Sequence, residues 1–355
     1  LIGGAVALFI IPIVLSWWNY STYKEDNRPI EIVITQPNVE QYVERKEMPL
    51  TEQLDKMLDV AIPLITDSTL LVLGPETVVP NRYPIGEQVY SNDVAYNYLQ
   101  KHVDQWNGVS IYMGVASYKV FRSKHRHSMQ KYENHDLYYE QYDASILLRK
   151  ETKPIFVHKS KLLLMAEKIP FAKQFPILEE YAVDLRGTAG TLGSGTKPEV
   201  LRTNGFSFAP VNCYETIYGE WVGEQTVKGA EVIFAITNDG WWGESAGHKQ
   251  HNSFSRLRAI ENRRYVARAS MTGISSVINQ RGDIIQSIPY GVHDAMRATL
   301  KLNKRQTFYA QNGDIIGILL LNIAYVLLGI NAFLLVRNKV FKKSKVRKSK
   351  AKAKK

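Results

Sequence analysis

The sequence is poor in cysteine, because Cys213 is the single one among 355 residues. One cysteine excludes an intrachain disulfide and every zinc or iron–sulfur site that needs several thiolates. The fold is therefore expected to depend on packing, and the chain is long enough for one large domain or two ordinary ones. A lone thiol that no structural bridge requires is a candidate for chemistry.

Acidic residues are missing from the end of the chain. The net charge of +11 lies wholly in residues 337–355, which carry eleven lysines and arginines, so residues 1–336 hold 34 residues of each sign. No basic face is implied for the folded body, and we expect no nucleic-acid partner. The net positive charge is therefore a property of the C-terminal segment alone.

Charge is also absent from two apolar segments that enclose a more polar middle. Residues 1–18 are uncharged and end in Trp17 and Trp18, a pattern typical of a membrane segment with an interfacial anchor. Residues 315–336 are an uncharged run of 22, which as a helix is long enough to cross a hydrocarbon core of about 30 Å. The basic tail then predicts a cytoplasmic C-terminus, with the middle on the opposite face of the membrane.

These features divide the chain into four predicted parts. We expect a transmembrane segment and linker over 1–24, a catalytic domain over 25–308, a transmembrane helix over 309–336 and a basic cytoplasmic tail over 337–355. Because the sequence starts at Leu1 rather than Met, we expect it to be the end of a longer membrane protein, with its other spans before this segment.

The middle alternates short apolar runs rich in β-branched residues with amphipathic stretches, which indicates an α/β fold. The predicted strands are 30–36, 69–74, 109–117, 143–149, 206–212, 231–237 and 273–280. The predicted helices are 51–66 and 253–269.

Reactive or charged side chains stand near the ends of predicted strands, where the active sites of α/β folds collect. Glu76 follows the strand in LLVLGPET, and Cys213 comes directly after the strand FSFAPVN. Lys159 lies in HKSKLLLMAEK, with Glu167 eight residues later. Taken singly, each fits an ordinary role as an exposed acid, a surface lysine or a buried thiol. Their combination in this order is what points to catalysis.

That order resembles the carbon–nitrogen hydrolase (nitrilase) superfamily, whose sites use a Glu–Lys–Cys triad. The sequences TQPNV, GPET, HKSKL, NCYE, NDGWWG, RLRAIENRR and ASMTGISSVINQRG occur in the superfamily's order, and with the apolar ends they resemble its apolipoprotein N-acyltransferases. The resemblance implies a nitrilase-like α-β-β-α sandwich flanked by transmembrane helices, on the outer face of a bacterial inner membrane. One difference is that residues 162–166 read LLLMA, where the superfamily usually has Leu-Val-Pro and then a glycine before the glutamate.

The resemblance also implies roles for individual residues. Glu76 is expected to be the base and Lys159 the cation that stabilises an oxyanion. Cys213 is the expected nucleophile, since a thiol with a pKa near 8.5 needs a base at neutral pH. The supporting residues are expected to be Glu167, Tyr214 (through its backbone N–H) and Glu215, and the pocket residues Asn238, Trp241 and Trp242.

The implied reaction is acyl transfer in two steps. Cys213 takes a fatty acyl chain from a phospholipid as a thioester and passes it to the α-amino group of the lipid-modified cysteine at the N-terminus of an apolipoprotein. The expected partners are the phospholipid donor, the apolipoprotein acceptor and the membrane, and no cofactor or metal is expected.

Three alternatives remain open from the sequence. A membrane-tethered amidase or nitrilase would use the same triad with water as the acceptor, and the altered 162–166 loop leaves room for an inactive membrane-anchored scaffold. A zinc site is a weaker alternative, because the chain has no cysteine cluster and no HExxH motif. Its candidate ligands are the pairs His248 and His251, and His125 and His127.

Overall fold

The computed structural model describes residues 2–26, 28–40, 47–133, 135–171, 174–175, 177 and 191–352. The chain divides into two compact units, Leu1–Gln311 and Asn312–Lys355. The helices are α1 (Ile2–Thr22), α2 (Leu50–Ala61), α3 (Val94–Gln105), α4 (Gly219–Val227), α5 (Ala246–Asn262), α6 (Phe308–Asn312) and α7 (Ile315–Lys352). The strands are β1 (Arg28–Gln36), β2 (Thr69–Leu73), β3 (Ile85–Gly86), β4 (Ser110–Phe121), β5 (Gln130–Lys131), β6 (Tyr138–Leu148), β7 (Ile155–His158), β8 (Leu201–Thr203), β9 (Phe206–Asn212), β10 (Val232–Thr237), β11 (Val266–Ser270), β12 (Ser275–Ile278), β13 (Ile284–Ile288) and β14 (Asp294–Leu302).

Within the described residues, eight strands form one sheet and six form a second. The first sheet has the order β14-β1-β2-β4-β6-β5, with β3 beside β4 and β7 beside β6, and the second has the order β13-β12-β11-β10-β9-β8. The strands β1, β2 and β4 are parallel in the first sheet, as are β9, β10 and β11 in the second. The carboxyl ends of neighbouring parallel strands therefore collect at one edge of each sheet.

The first and last strands of the larger unit are neighbours. β1 pairs antiparallel with β14 along its whole length, from Arg28 opposite Leu302 to Gln36 opposite Asp294. The two ends of the sandwich therefore lie side by side.

Alternating side chains build three buried apolar layers. In β10, Val232, Phe234 and Ile236 belong to a cluster shared by both sheets, while Ile233 and Ala235 belong to a cluster shared with α4 and α5. A third cluster packs α2 and α3 against the outer face of the first sheet. The result is a four-layer α-β-β-α sandwich, the arrangement that the resemblance implies.

The helix α2 is shorter than the predicted helix 51–66. It ends at Ala61, and Pro63 lies in a single 3-10 turn, Ile62–Leu64. Proline has no N–H to donate and crowds the preceding turn, so the helix stops just before it.

The helix α5 differs more from the predicted helix 253–269. The Ser245 side chain accepts from the Gly247 N–H at 3.2 Å and caps the start. The helix ends at Asn262, and the next residue, Arg263, has a left-handed φ of 50°. Residues 266–270 form the strand β11 instead. The predicted helix was therefore wrong at both ends. The helical spacing of Phe254, Leu257 and Ile260 marks the outer face of α5, where Leu257 is 45% and Ile260 is 40% exposed, whereas the buried face is largely polar.

Within the described part of the chain, one helix is long and apolar enough to cross a membrane, Ile315–Asn338 in α7. The apolar part of α1, Val6–Thr22, is shorter. The predicted tail lies in part outside the described residues. The two membrane spans, the topology and the domain boundaries therefore stay predictions.

Candidate active site

Glu76 lies just beyond β2, in a segment that hydrogen-bonds to β4. The Gly114 N–H donates to the Pro75 carbonyl at 2.8 Å, and the Val78 N–H donates to the Gly114 carbonyl at 2.9 Å. A Cβ atom at position 114 would lie 2.5 Å from the Glu76 Cα and 2.4 Å from the Thr77 nitrogen. Glycine at 114 is thus what allows the backbone of Glu76 to lie directly on β4.

Lys159 follows β7 and is fully buried, with its amine at the centre of three carboxylates. Its Nζ donates to Glu76 Oε1 at 2.9 Å, to Asp143 Oδ2 at 2.8 Å and to Glu167 Oε1 at 2.7 Å. An ammonium group has three N–H donors, so each donor has one carboxylate partner. The structure thereby brings together three of the predicted polar residues.

Asp143 was not predicted as a site residue. It lies in β6 and is 3% exposed, and its Oδ1 accepts from Asn212 Nδ2 at 3.0 Å. It therefore connects the lysine to Asn212, the residue that precedes Cys213. The signal in the sequence was a single acid at the head of the apolar run ASILL, which also fits a solvent-facing strand residue.

Glu167 reaches Lys159 although the loop before it departs from the superfamily pattern. Its Oε2 accepts from the Leu163 N–H at 2.8 Å, and its own N–H donates to the Leu163 carbonyl at 2.9 Å. Met165 adopts a left-handed φ of 68° within this turn. The loop closes on itself and aims Glu167 inward, so the altered residues preserve the contact.

Cys213 stands where β9 ends and a 3-10 turn, Cys213–Ile217, begins. Its φ of 47° is left-handed, which is uncommon for any residue with a side chain. The Glu215 carboxylate holds the turn, since Oε2 accepts from the Asn212 N–H at 3.0 Å and Oε1 accepts from the Ser160 N–H at 2.7 Å. Glu215 thus joins the turn of Cys213 to the segment that carries Lys159.

The remaining predicted residues surround this centre. The Asn238 N–H donates to Glu76 Oε2 at 2.9 Å, so both oxygens of that carboxylate are held. Tyr214 is half-buried and its ring packs on Tyr218, with centroids 5.7 Å apart. Trp241 is half-buried, whereas Trp242 is 41% exposed and lies outside the carboxylate cluster.

The charges of the site shift its pKa values in a consistent way. Burial raises the pKa of Glu76 well above its ordinary value, against the opposing effect of Lys159. Burial acts to lower the pKa of Lys159, but the surrounding carboxylates raise it well above the usual value, so the amine stays charged. Burial and the Glu76 carboxylate raise the pKa of the Cys213 thiol. At neutral pH the thiol is therefore protonated and needs a base.

The three carboxylates also have the spacing of metal ligands. Oxygen atoms of Glu76, Asp143 and Glu167 lie within 4.8 Å of one another. Lys159 Nζ is hydrogen-bonded to all three, so its ammonium takes the position that a cation would need. The cluster is thereby assigned to the lysine.

A family model described as carbon–nitrogen hydrolase matches residues 48–309, which include every residue of this site. The apolipoprotein N-acyltransferase of Chlorobaculum tepidum is 27% identical over 305 residues, which cover 84% of this chain and 56% of that protein. The enzyme of the same name from Vibrio vulnificus is 33% identical over 157 residues, 44% of this chain and 31% of that protein. The chain spans about half the length, or less, of these curated relatives.

Solved structures show the same fold. Nit3 of Saccharomyces cerevisiae, a nitrilase-superfamily member, aligns with a TM-score of 0.53 and 17% identity over 79% of this chain and 92% of its own. An amidase from Nesterenkonia sp. AN1, whose active-site cysteine has added to acrylamide, aligns with a TM-score of 0.53 and 14% identity over 80% and 96%. The prediction of a nitrilase-like α/β fold is confirmed.

Proposed function

The chain belongs to the carbon–nitrogen hydrolase family, and we propose that it is a bacterial membrane N-acyltransferase that works through a thioester on Cys213. The donor is a phospholipid, and the acceptor is the α-amino group of a lipid-modified N-terminal cysteine on an apolipoprotein. The observation that supports the chemistry is the buried Lys159 with its three carboxylates beside a cysteine in a left-handed turn. The relatives' names and the apolar helix Ile315–Asn338 support the lipid substrate.

The first step begins with proton transfer from the Cys213 thiol to the Glu76 carboxylate. The thiolate attacks the ester carbonyl of the phospholipid, forming a carbon–sulfur bond and an oxyanion. When the carbon–oxygen bond of the ester breaks, Glu76 returns the proton to the departing alcohol oxygen of the lysophospholipid. The raised pKa of Glu76 suits this exchange, because burial and the charges of Asp143 and Glu167 make this carboxylate a stronger base than an exposed one.

Lys159 acts in this scheme through its charge. All three of its N–H donors are taken by carboxylates, and one of these is Glu76. When Glu76 accepts the thiol proton it becomes neutral, so the ammonium loses one of its counter-charges at the moment when the oxyanion forms. The positive charge is then available to stabilise that oxyanion, together with the backbone N–H of Tyr214.

The second step transfers the acyl chain to the amine. The amine attacks the thioester carbonyl, its proton passes to Glu76, and the carbon–sulfur bond breaks to release the amide. The thiolate regains the proton from Glu76, which restores the starting state. Glu167 and Asp143 keep Lys159 in place throughout, and Glu215 keeps the nucleophile's turn fixed to the lysine segment.

The proposed setting is the inner membrane of a bacterium. The apolar segments at the two ends serve as membrane spans, the catalytic unit lies on the outer face, and the basic tail lies in the cytoplasm. Anionic lipid attracts such a tail, which fits its eleven basic residues. Donor and acceptor are both held in the bilayer, so a membrane-bound catalyst meets them at its surface.

The test uses the full chain in detergent with phosphatidylethanolamine. Intact-mass spectrometry is expected to show one acyl chain added to the wild type and none to Cys213→Ala, with the acyl group sensitive to neutral hydroxylamine. A synthetic peptide with an N-terminal diacylglyceryl-cysteine is then added. Transfer of the chain to the peptide amine supports the proposal, whereas release of free fatty acid alone would favour an amidase-like hydrolase. Acylation of Cys213→Ala would refute the nucleophile.

A further inference from the structure

The carbonyl of the nucleophile is held by two side chains. The left-handed turn at Cys213 takes its C=O away from the β9 ladder, and that oxygen accepts from Thr216 Oγ1 at 2.7 Å. His251 Nε2 lies 3.1 Å from the same oxygen. A carbonyl oxygen has two lone pairs. The two side chains therefore hold this C=O in one direction.

His251 is itself fixed from behind. Its Nδ1 lies 2.8 Å from Asp239 Oδ1, and Asp239 Oδ2 accepts from Arg268 Nη2 at 2.5 Å. All three residues are buried, each with 2% exposure or less, and they come from α5, the turn after β10, and β11. The imidazole ring also meets the Trp242 ring edge-on, with centroids 5.2 Å apart. An arrangement built from three elements gives the ring little freedom to turn.

The same peptide unit carries the N–H of Tyr214. A peptide unit is planar and trans, so its C=O and N–H point in opposite directions and turn together. Fixing the Cys213 oxygen therefore fixes the direction of the Tyr214 N–H. Hydrogen bonds to a carbonyl also polarise its amide and strengthen the N–H as a donor.

We infer that His251, held by Asp239 and Arg268, is a positioning residue that aims the Tyr214 N–H at the oxyanion of the acyl-transfer intermediate. The inference rests on the proposed function, in which that N–H stabilises the oxyanion. His251 contacts neither the thiol nor the acyl group in this scheme. It acts through the peptide plane between Cys213 and Tyr214.

Both ring nitrogens of His251 have oxygen neighbours, so neither is open to a metal ion. Nε2 faces the Cys213 carbonyl oxygen, and Nδ1 faces Asp239 Oδ1 and lies 3.2 Å from Arg268 Nη2. The zinc alternative for His248 and His251 therefore lacks one of its two ligands, and His248 Nδ1 itself lies 3.1 Å from the Gly243 carbonyl oxygen.

Two amide substitutions separate the two contacts of the ring. The amide of His251→Gln reaches the position of Nε2 and retains a donor for the Cys213 carbonyl. The amide of His251→Asn reaches the position of Nδ1 and retains only the contact with Asp239. We expect the Asn variant to lower kcat about tenfold to a hundredfold with KM within about twofold, because a misaimed oxyanion donor affects the transition state alone. The Gln variant is expected to recover most of that loss.

The readout compares two reactions of the full chain in detergent. Acylation by p-nitrophenyl butyrate forms an oxyanion, whereas alkylation of Cys213 by iodoacetamide does not. The Asn variant should slow acylation while alkylation stays within about twofold of wild type. Equal loss of both rates would show a general disturbance of the nucleophile and overturn the inference. Equal activity of the Asn and Gln variants would also overturn it.

Two further variants keep the test decisive. Thr216→Val removes the other donor to the same oxygen with little change in volume, so the same split between acylation and alkylation is expected even if the His251 variants fail to fold. His248→Asn is the matched control on α5, a buried histidine whose loss should leave both rates unchanged. Because p-nitrophenyl butyrate is a small ester, the test of His251 does not depend on whether a phospholipid is the natural acyl donor. Acylation of Cys213→Ala by that ester would refute the proposed function itself.

Discussion

Two buried charge clusters adjoin Cys213, and their balances of charge differ. Around Lys159 one cation meets three carboxylates, whereas Asp239 is one carboxylate between Arg268 and His251. Burial raises the pKa of Glu76 in the first cluster. Burial also acts to raise the pKa of Asp239, but Arg268 and His251 lower it to about 2.

The difference shows how two carboxylates acquire different tasks. With too few cations, Glu76 retains an affinity for protons and can exchange one with the thiol. With the Arg268 guanidinium beside it and the His251 ring in hydrogen-bond contact, Asp239 stays ionised at every physiological pH and can only hold its neighbours in place. In the proposed reaction the first cluster exchanges the proton, and the second holds the turn of Cys213 in place.

The largest effect on stability and activity is expected for Lys159→Met, which removes the single cation of the first cluster. The substitution leaves three buried carboxylates with no cation among them, so we expect a loss of about 3–5 kcal/mol in the free energy of unfolding and acylation at background level. Urea unfolding in detergent, followed by tryptophan fluorescence, measures the loss, which should shrink at acid pH as the carboxylates gain protons.

The control for this variant is Lys161→Met. The Nζ of Lys161 lies 4.6 Å from the centroid of the Trp221 ring and forms no ion pair with a carboxylate of the described residues, so we expect a loss within about 1 kcal/mol. If Lys159→Met proves as stable as wild type at neutral pH, the three carboxylates do not need the Lys159 charge. The proposed difference in charge balance between the two clusters would then be wrong.

The next largest effect is expected for Glu76→Gln. The amide cannot accept the thiol proton, so kcat/KM for acyl transfer should fall by about 10²–10⁴. Because the variant removes one of several crowded carboxylates, the thermal midpoint should stay the same or rise. Glu151→Gln, in an exposed turn, is the control. A fall in rate that comes with an equal fall in stability would contradict the assignment of Glu76 as a base.

Asp239→Asn tests the second cluster through stability. Because the pKa of Asp239 falls from 3.8 to about 2 on folding, its ionisation stabilises the fold at pH values above 3.8, and that contribution is lost as pH falls toward 2. The shift corresponds to about 2 kcal/mol. Wild type and variant should therefore differ by that amount at pH 7 and converge near pH 2.

The control for Asp239→Asn is Asp136→Asn. The Asp136 side chain is 99% exposed, so the substitution should change stability by less than about 0.5 kcal/mol at either pH. A difference between wild type and Asp239→Asn that stays constant with pH would mean that the Asp239 charge contributes nothing.

The smallest effect is expected in the pH profile of the wild type. Activity needs ionised Glu76, and its pKa is raised above the ordinary carboxyl value of 4.5. As pH rises, kcat/KM should therefore increase with a midpoint above 4.5, while Asp239 does not titrate in this range. Hydrolysis of p-nitrophenyl butyrate between pH 4 and 8 measures the profile. A midpoint at or below 4.5 would remove the distinction between the two carboxylates.

Much of the sandwich could be predicted from local sequence. The strand 206–212 is bounded as predicted, because its side chains are apolar on both faces and a polar turn follows. The helix α5 could not be predicted as well. Its buried face includes His248, His251 and Asn252, whose burial depends on partners elsewhere in the chain. The strand β11 was missed for the same reason, since Arg268 lies in its middle.

The candidate site could likewise be predicted only in part from local sequence. Glu76, Lys159 and Cys213 were found because each stands in a short sequence that the superfamily shares. Asp143 was not found, because its role depends on meeting Lys159 across two strands and nothing near it in the chain indicates that contact. Local sequence identifies a reactive group, but the groups that tune it come from distant parts of the fold.

The pairing of β1 with β14 has a mechanical consequence. The start of β1 and the end of β14 lie at the same end of this pairing, where Arg28 is opposite Leu302. A force that pulls residues 28 and 302 apart acts on this first residue pair. The nine residue pairs between β1 and β14 would therefore open one after another instead of all at once. Tension at the two ends therefore acts first on the β1–β14 pairing and on the hydrogen bonds that tie Tyr20, Tyr23 and Glu25 to Asp283, Gln280 and Tyr265. Cys213 and Lys159 lie beyond these first points of load.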